Sequence, residues 1–445
     1  MTTPRLPAPE LLCPAGTLKA MRYAFAYGAD AVYAGQPRYS LRVRNNEFDH
    51  ANLALGIAEA HAQGKRFYVV VNIAPHNAKL RTFLRDLAPV VAMAPDALIM
   101  SDPGLIMLVR EHFPAMPIHL SVQANAVNWA SVKFWQQQGV SRVILSRELA
   151  LEEIEEIRQQ VPAMELEVFV HGALCMAYSG RCLLSGYINR RDPNQGTCTN
   201  ACRWQYQAHA GQENELGEIV RSCAPTLGSG ASTEQLFLLE DGSRPGELME
   251  AFEDEHGTYI MNSKDLRAVQ HVERLVQMGV HSLKIEGRTK SHFYVARTAQ
   301  VYRQAIDAAV AGKPFSPQWL ADLDSLANRG YTEGFLRRHV HDHYQNYQHG
   351  SSRAERQQFV GELTGQWRGE LAEVRVKNRF AVGDQLELMT PHGNHTFRLA
   401  ALFNQASEPV AVAPGDGHVL YLALPPTLDG RYGLLMRYLD SATHS

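Results

Sequence analysis

At 445 residues the chain exceeds what one hydrophobic core usually supports, and a 45% hydrophobic content is ample for one large packed domain plus a smaller unit. Its 43 Lys plus Arg against 46 Asp plus Glu leave a net charge of -3, which gives no bulk attraction to DNA or to an anionic membrane; any RNA contact has to be local. MTTPRLPAPELLCPAG has no apolar h-region after a basic start, and nowhere do about 18 apolar residues run together, so the expectation is a soluble, cytoplasmic protein with no membrane partner and with reduced cysteines.

Short apolar runs of strand character recur before residue 290: ELLCPAG, AVYAG, FYVVVN, ALIMS, IHLSVQ, RVILS, LEVFVHG and, much later, SLKIEG. Segments between them, such as LKAMRYAFAYG and SVKFWQQQGV, carry apolar positions at helical spacing and stop near Gly. Eight such units predict a (β/α)8 TIM-like barrel over residues 1–335, with an open doubly wound α/β sheet as the competing layout. Residues 171–280 are too long for an ordinary loop and read as an insertion after the seventh strand, containing QLFLLE and GTYIMN as strands. Residues 291–312 read as a last barrel helix and 316–338 as shorter helices. A His-rich hinge (336–355) then leads to short alternating strands over 356–445, a small all-β domain.

In a barrel the active site gathers where strands end. Those ends supply Asn72, Ser101 and Asp102, Gln123, Ser146, Arg147 and Glu148, His171, and Glu286 and Arg288. One Ser or Asn there is ordinary helix capping, but six polar strand ends point to a site.

Six cysteines occur, four of them grouped as C-x6-C-x15-C-x3-C: Cys175, Cys182, Cys198 and Cys202. Four thiolates suit zinc or an iron-sulfur cluster, and unliganded core thiols are the third reading. Only Cys198 and Cys202 have zinc-knuckle spacing; the wider gap favours a bulkier cluster. The CxxxCxxC run of S-adenosylmethionine radical enzymes is not completed, because CTNACRWQ ends in Gln205.

EVFVHGALCMAYSGRCLLS (Glu167 to Ser185) resembles the signature of the U32 family, long catalogued as peptidases. ELLCPAGTLKAMRYAFAYGADAVYAG, RYSLRVRNNEF, DPNQGTCTNACRW and IEGRTKSHFYVARTAQVYR extend the resemblance over nearly the whole chain, toward the branch that modifies tRNA. The resemblance implies an enzyme that converts the wobble uridine of tRNA to 5-hydroxyuridine with dependence on prephenate. It also implies a four-cysteine 4Fe-4S cluster on Cys175, Cys182, Cys198 and Cys202, although some relatives recruit a more distant fourth ligand, for which Cys223 is the candidate. Cys13 reads as a buried thiol.

Prephenate is a dicarboxylate, and arginine matches carboxylates best. Arg42, Arg44, Arg147 and Arg288 would share one rim, with Asn72, Gln123 and Glu286 as further substrate contacts; surface ion pairing is the bland alternative for the arginines. His171 is read as a proton carrier in restoring the pyrimidine, as a core histidine, or as a hydrogen-bond donor to a cluster sulfur, and Lys264 and Asp265 either as site residues or as a helix start. HVHDHYQNYQH, with His339, His341, His343 and His349, reads as a polar hinge rather than a metal site. Tyr344, Tyr347, Arg337 and Arg338 offer stacking and phosphate contacts to tRNA. The alternatives are a U32-type peptidase, for which no H-E-x-x-H or G-x-S-x-G is present, and a noncatalytic iron-sulfur or RNA-binding partner. A helper protein delivering electrons is a further candidate partner.

Overall fold

The computed structural model describes residues 7–36, 38–41, 47–174, 206–213, 219–221, 236–241, 248–254, 257–258, 264–326, 328, 330–337, 357–424 and 430–439. The first seven apolar runs form strands, each followed by a helix or turn: β1 (Glu10–Pro14), β2 (Ala31–Gly35), β3 (Arg66–Val71), β4 (Ala97–Met100), β5 (Ile118–Leu120), β6 (Arg142–Ile144) and β7 (Glu165–Ala173). Between them run α1 (Leu18–Ala26), α2 (His50–Ala62), α3 (Asn77–Ala92), α4 (Pro103–His112), α5 (Trp129–Gln137) and α6 (Leu151–Gln160). Local sequence starts these helices: Thr17, Asp49, Asp102 and Asn128 each accept a backbone N–H of the first turn.

Beyond β7 lie the antiparallel strands β8 (Tyr206–Glu213), β9 (Ile219–Arg221), β10 (Leu236–Asp241), β11 (Leu248–Asp254) and β12 (Gly257–Thr258), ordered β12-β11-β10-β8-β9. The described part of QLFLLE lies in β10, and that of GTYIMN is β12. The chain then returns as β13 (Asp265–Arg267), antiparallel to the end of β7, with Asp265 opposite Ala173 and Arg267 opposite His171. This corrects the expected helix start at Lys264 and Asp265: the Asp265 N–H donates to Gly330 O at 2.9 Å, a sheet bond. It also shortens the expected insertion, because α7 (Val272–Gln277) is already the barrel's own helix, ahead of residue 280.

Strand β14 (Ser282–Ile285) pairs in parallel with both β1 and β7 and closes the eight-stranded barrel. Next come α8 (His292–Val310), α9 (Gln318–Asp324) and β15 (Tyr331–Thr332), the last parallel to β13. Among the described residues of 316–338, the expected succession of short helices is therefore one helix, a strand and a 3-10 turn at Gly334–Arg337.

The described residues between 357 and 438 form a seven-stranded antiparallel sheet and a two-stranded one around a core of their own that includes Val360, Phe380, Leu386 and Leu422. The larger sheet docks on α1 and α8, where Met389, Leu434 and Met436 join the barrel's core. Polar contacts align this seam: Arg297 Nη2 donates to Glu387 Oε1 at 2.5 Å, Gln300 donates to Thr390 O at 3.0 Å, and the Tyr27 hydroxyl lies 2.7 Å from Tyr432 O. No helix among the described residues is long and apolar enough to cross a membrane.

Candidate functional site

The barrel interior departs from the apolar layers usual in this fold. Glu10 on β1 accepts from Arg142 Nη1 of β6 at 2.6 Å and from the Tyr68 hydroxyl of β3 at 2.7 Å, contacts between strands that are not neighbours and therefore cross the lumen. Arg142 also lies 3.2 Å from Glu167 Oε2, and Lys284 Nζ donates to Glu167 Oε1 at 2.8 Å. Burial alone would push the Glu167 carboxyl up, but Lys284 and Arg142 hold it below the usual carboxylate range, so the acid is ionised and paired. Burial pulls Lys284 in turn below its ordinary range, against the opposing pull of Glu167.

Above this network sit three cations on two rings. The guanidinium of Arg147 lies 3.8 Å from the centroid of Phe169, whose ring also has Lys284 Nζ at 5.5 Å. Lys284 Nζ is 4.2 Å from the Tyr33 ring, and the Arg288 guanidinium is 5.9 Å from that same ring. Glu286 anchors the first of these arginines: Arg147 Nη2 is 3.5 Å from its Oε2, and the Tyr33 hydroxyl is 3.4 Å from that oxygen. Arg288 Nη1 donates to Ser40 Oγ at 2.7 Å.

Glycines permit this closeness. A Cβ on Gly35 would stand 2.6 Å from Arg288 Nη1, and one on Gly172, at φ +111°, would stand 2.5 Å from Glu286 O. With Gly172 bare, the Glu286 N–H reaches His171 O at 2.8 Å and locks the ends of β7 and β14 together.

The opposite arc of the mouth carries amides, hydroxyls and two acids. Asn72 Oδ1 accepts the Leu41 N–H at 3.2 Å and its Nδ2 donates to Ser121 Oγ at 3.4 Å; Ser121 donates to Gln123 Oε1 at 2.8 Å. Ser101 donates to Asn72 O at 3.2 Å, and Ser146 hydrogen-bonds Glu148. Asp102 acts as a helix cap, holding the Leu105 N–H at 2.9 Å.

His171 is not at this mouth. Its parity with Glu167 and Phe169 would turn it into the lumen, but β7 has one extra residue at Val170: Lys284 pairs with Phe169, whereas the next residue, Ile285, pairs with His171. The bulge reverses the face. The ring is 1% exposed and packs against Tyr294, Tyr302 and Tyr331, with centroids 5.8, 5.6 and 5.5 Å away. Burial drives its pKa down to about 3, with Asp265 opposing, so it is neutral at physiological pH. The Tyr302 hydroxyl gives its proton to Val170 O at 2.7 Å, which makes the imidazole the donor in its 3.4 Å contact with Nδ1. These surroundings carry the core-histidine reading. Asp265 is buried beside the same tyrosine cluster, while Lys264 packs its stem near Gly330.

Arg42, Arg44, Cys175, Cys182, Cys198, Cys202, Cys223, Arg338, Tyr344, Tyr347 and the hinge histidines lie outside the described residues. Cys175 follows Leu174 directly in sequence, just past the end of β7 and three residues after Gly172. As a donor set, four thiols grouped within one segment match a thiolate-held cluster. Cys13 is fully buried, and burial, reinforced by Asp30, raises its thiol far above the ordinary range, so it is an inert packing group rather than a nucleophile. Sequence reasoning passed over Lys284, Glu167, Arg142 and Glu10. Their signal was a charge inside each otherwise apolar run, as in LEVFV and SLKI.

Residues 16–346 match the family described as Peptidase family U32, and residues 355–437 match the U32 C-terminal domain. The chain is 71% identical over 443 residues to tRNA hydroxylation protein P of Escherichia coli (strain K12), covering 98% of both chains. It is 67% identical to tRNA hydroxylation protein P of Haemophilus influenzae, over 97% of this chain and 96% of that one. A 23S rRNA 5-hydroxycytidine synthase of Escherichia coli is 30% identical over 74% of this chain and 42% of its own length.

Proposed function

The chain belongs to peptidase family U32, and on that footing we propose that it is a tRNA-modifying enzyme that hydroxylates the wobble uridine to 5-hydroxyuridine, depends on prephenate, and carries a 4Fe-4S cluster on Cys175, Cys182, Cys198 and Cys202. The observation that carries this reading is the 71% identity, over nearly the full length, to a relative named for tRNA hydroxylation. A relative named for 5-hydroxycytidine synthesis supports C5 of a pyrimidine as the position.

Replacing C5–H by C5–OH is an oxidation that acid–base side chains cannot perform alone; the cluster supplies the electron-transfer chemistry. The chain's own residues bind and orient. Arg147 and Arg288 face the carboxylates of prephenate, with Glu286 and Tyr33 fixing where the first guanidinium rests and Ser40 fixing the second. Asn72 and Gln123, held through Ser121, present amide groups to the pyrimidine edge. Lys284, paired with Glu167, packs against both rings and so fixes the surface on which the two arginines rest.

Nucleoside mass spectrometry of tRNA from a deletion strain tests the reading. Loss of 5-hydroxyuridine, restored by the wild-type chain and not by Cys175→Ala or Cys198→Ala, is the expected result. Unchanged 5-hydroxyuridine in the deletion strain removes the reaction, and full restoration by the cysteine variants removes the cluster.

A further inference from the structure

The loop after β5 is tied into the site from two sides. Ser121 holds Gln123 and Asn72, and Ala126 O accepts the N–H of Ser146, the neighbour of Arg147, at 3.4 Å. Just beyond Ala126, on the face where the strands end, Val127 and Trp129 stand 38% and 40% exposed. Asn128 between them accepts the Ser131 N–H at 2.8 Å and so fixes the turn that presents the indole. Among the α5 residues only Val132 is buried, so Trp129 is not an anchor for the barrel. Lys133, exposed one helical turn on, shares the face of Trp129.

A lone exposed apolar residue is ordinary. A wide aromatic face beside a catalytic mouth, with a cation one turn away, has the composition of a surface that stacks unpaired bases and contacts their phosphates. Two side chains are too small an area for a stable dimer. An enzyme that acts on one base of a loop must draw it out of its stack, which leaves a neighbouring base without a partner.

We propose that Val127 and Trp129 form a stacking platform for a nucleobase adjoining the target uridine, with Lys133 on the phosphate that follows. The proposal rests on the tRNA reading above. The test is titration of the full-length, anaerobically purified protein with an anticodon stem-loop RNA over a range of salt. Trp129→Ala is expected to weaken binding about tenfold without altering the salt dependence, and Trp129→Phe to stay within about threefold of wild type. Lys133→Ala is expected to reduce the slope of log K against log salt by about one. Wild-type affinity in Trp129→Ala overturns the platform, as does a loss of self-association in that variant with RNA binding intact, which would assign the patch to a second copy. Failure of the wild-type chain to bind the stem-loop removes the tRNA reading itself, and the platform with it.

Discussion

Lys284 and Glu167, 117 residues apart in the chain, meet at 2.8 Å inside the barrel, where neither is more than 3% exposed. Taking two charges out of water is costly, and the pair persists because Glu167 is also held by Arg142 and because Lys284 lies over Tyr33 and Phe169. Lys284→Met strands a buried carboxylate with one remaining cation and is expected to destabilise the fold by about 3–5 kcal/mol in denaturant melts. The double variant Lys284→Met, Glu167→Gln should recover a large part of that loss, since it removes the orphaned charge. Additive single-variant effects would show that the two side chains act independently.

Arg288 donates to Ser40 Oγ, lies near the Tyr33 ring, and has room because Gly35 carries no side chain. Arg288→Lys keeps the charge but loses the planar fork that suits a carboxylate. The expected outcome is a ten- to hundredfold fall, about 1.4–2.8 kcal/mol, in kcat/KM for prephenate-dependent hydroxylation, mainly through KM, with a melting curve close to wild type. A fall in kcat with KM unchanged would move Arg288 from binding to the chemical step.

The barrel was legible because its eight strands are apolar runs too short for helices and its helices announce their caps, as Asp49 and Asp102 do. The rim followed from the strand ends, and Asn72, Gln123, Arg147, Glu286 and Arg288 do occupy it. What could not be read was any property set by pairing. The bulge that turns His171 outward depends on its register against Ile285, and LEVFVHG alone has no sign of it. Asp265 joins a sheet through Ala173 and Gly330, partners far away in sequence. The lumen network is likewise invisible until Glu10, Arg142, Glu167 and Lys284 are brought into one tube.

The neutral, buried state of His171 has a thermodynamic consequence. In the fold its pKa is depressed to about 3, whereas an unfolded histidine takes up its proton near 6.5. Between these values the unfolded chain binds more protons, so this residue's contribution makes stability fall as pH drops through that window. His171→Gln, which cannot titrate, should therefore lose most stability relative to wild type near about pH 7.5 and less near about pH 5, as measured by urea melts. A proton carrier would instead impose its own ionisation on the rate, so an unaltered pH–rate profile in His171→Gln is the accompanying expectation.

Glu362 places an acid-sensitive contact on the seam between barrel and C-terminal sheet. It lies 2.5 Å from Lys19 Nζ of α1, 3.0 Å from His292 Nε2 of α8 and 3.1 Å from Arg375 of its own sheet. Burial pushes its carboxyl up, but the contacts from His292 and Lys19 outweigh this and hold it at about 2, against an ordinary 4.5. Its folded pKa is depressed, so the stabilisation is fully present above about 4.5 and is lost as pH falls toward about 2, where the fold must accept a proton that the unfolded chain already holds. Glu362→Gln should lower the melting temperature at neutral pH and flatten the decline across this acid window, as followed by calorimetry. Because Lys19 and His292 both belong to the barrel, the variant should also separate one cooperative transition into two, the C-terminal sheet releasing first. A single transition with an unchanged acid limb would show that the apolar contacts of Met389, Leu434 and Met436 hold the seam without this carboxylate.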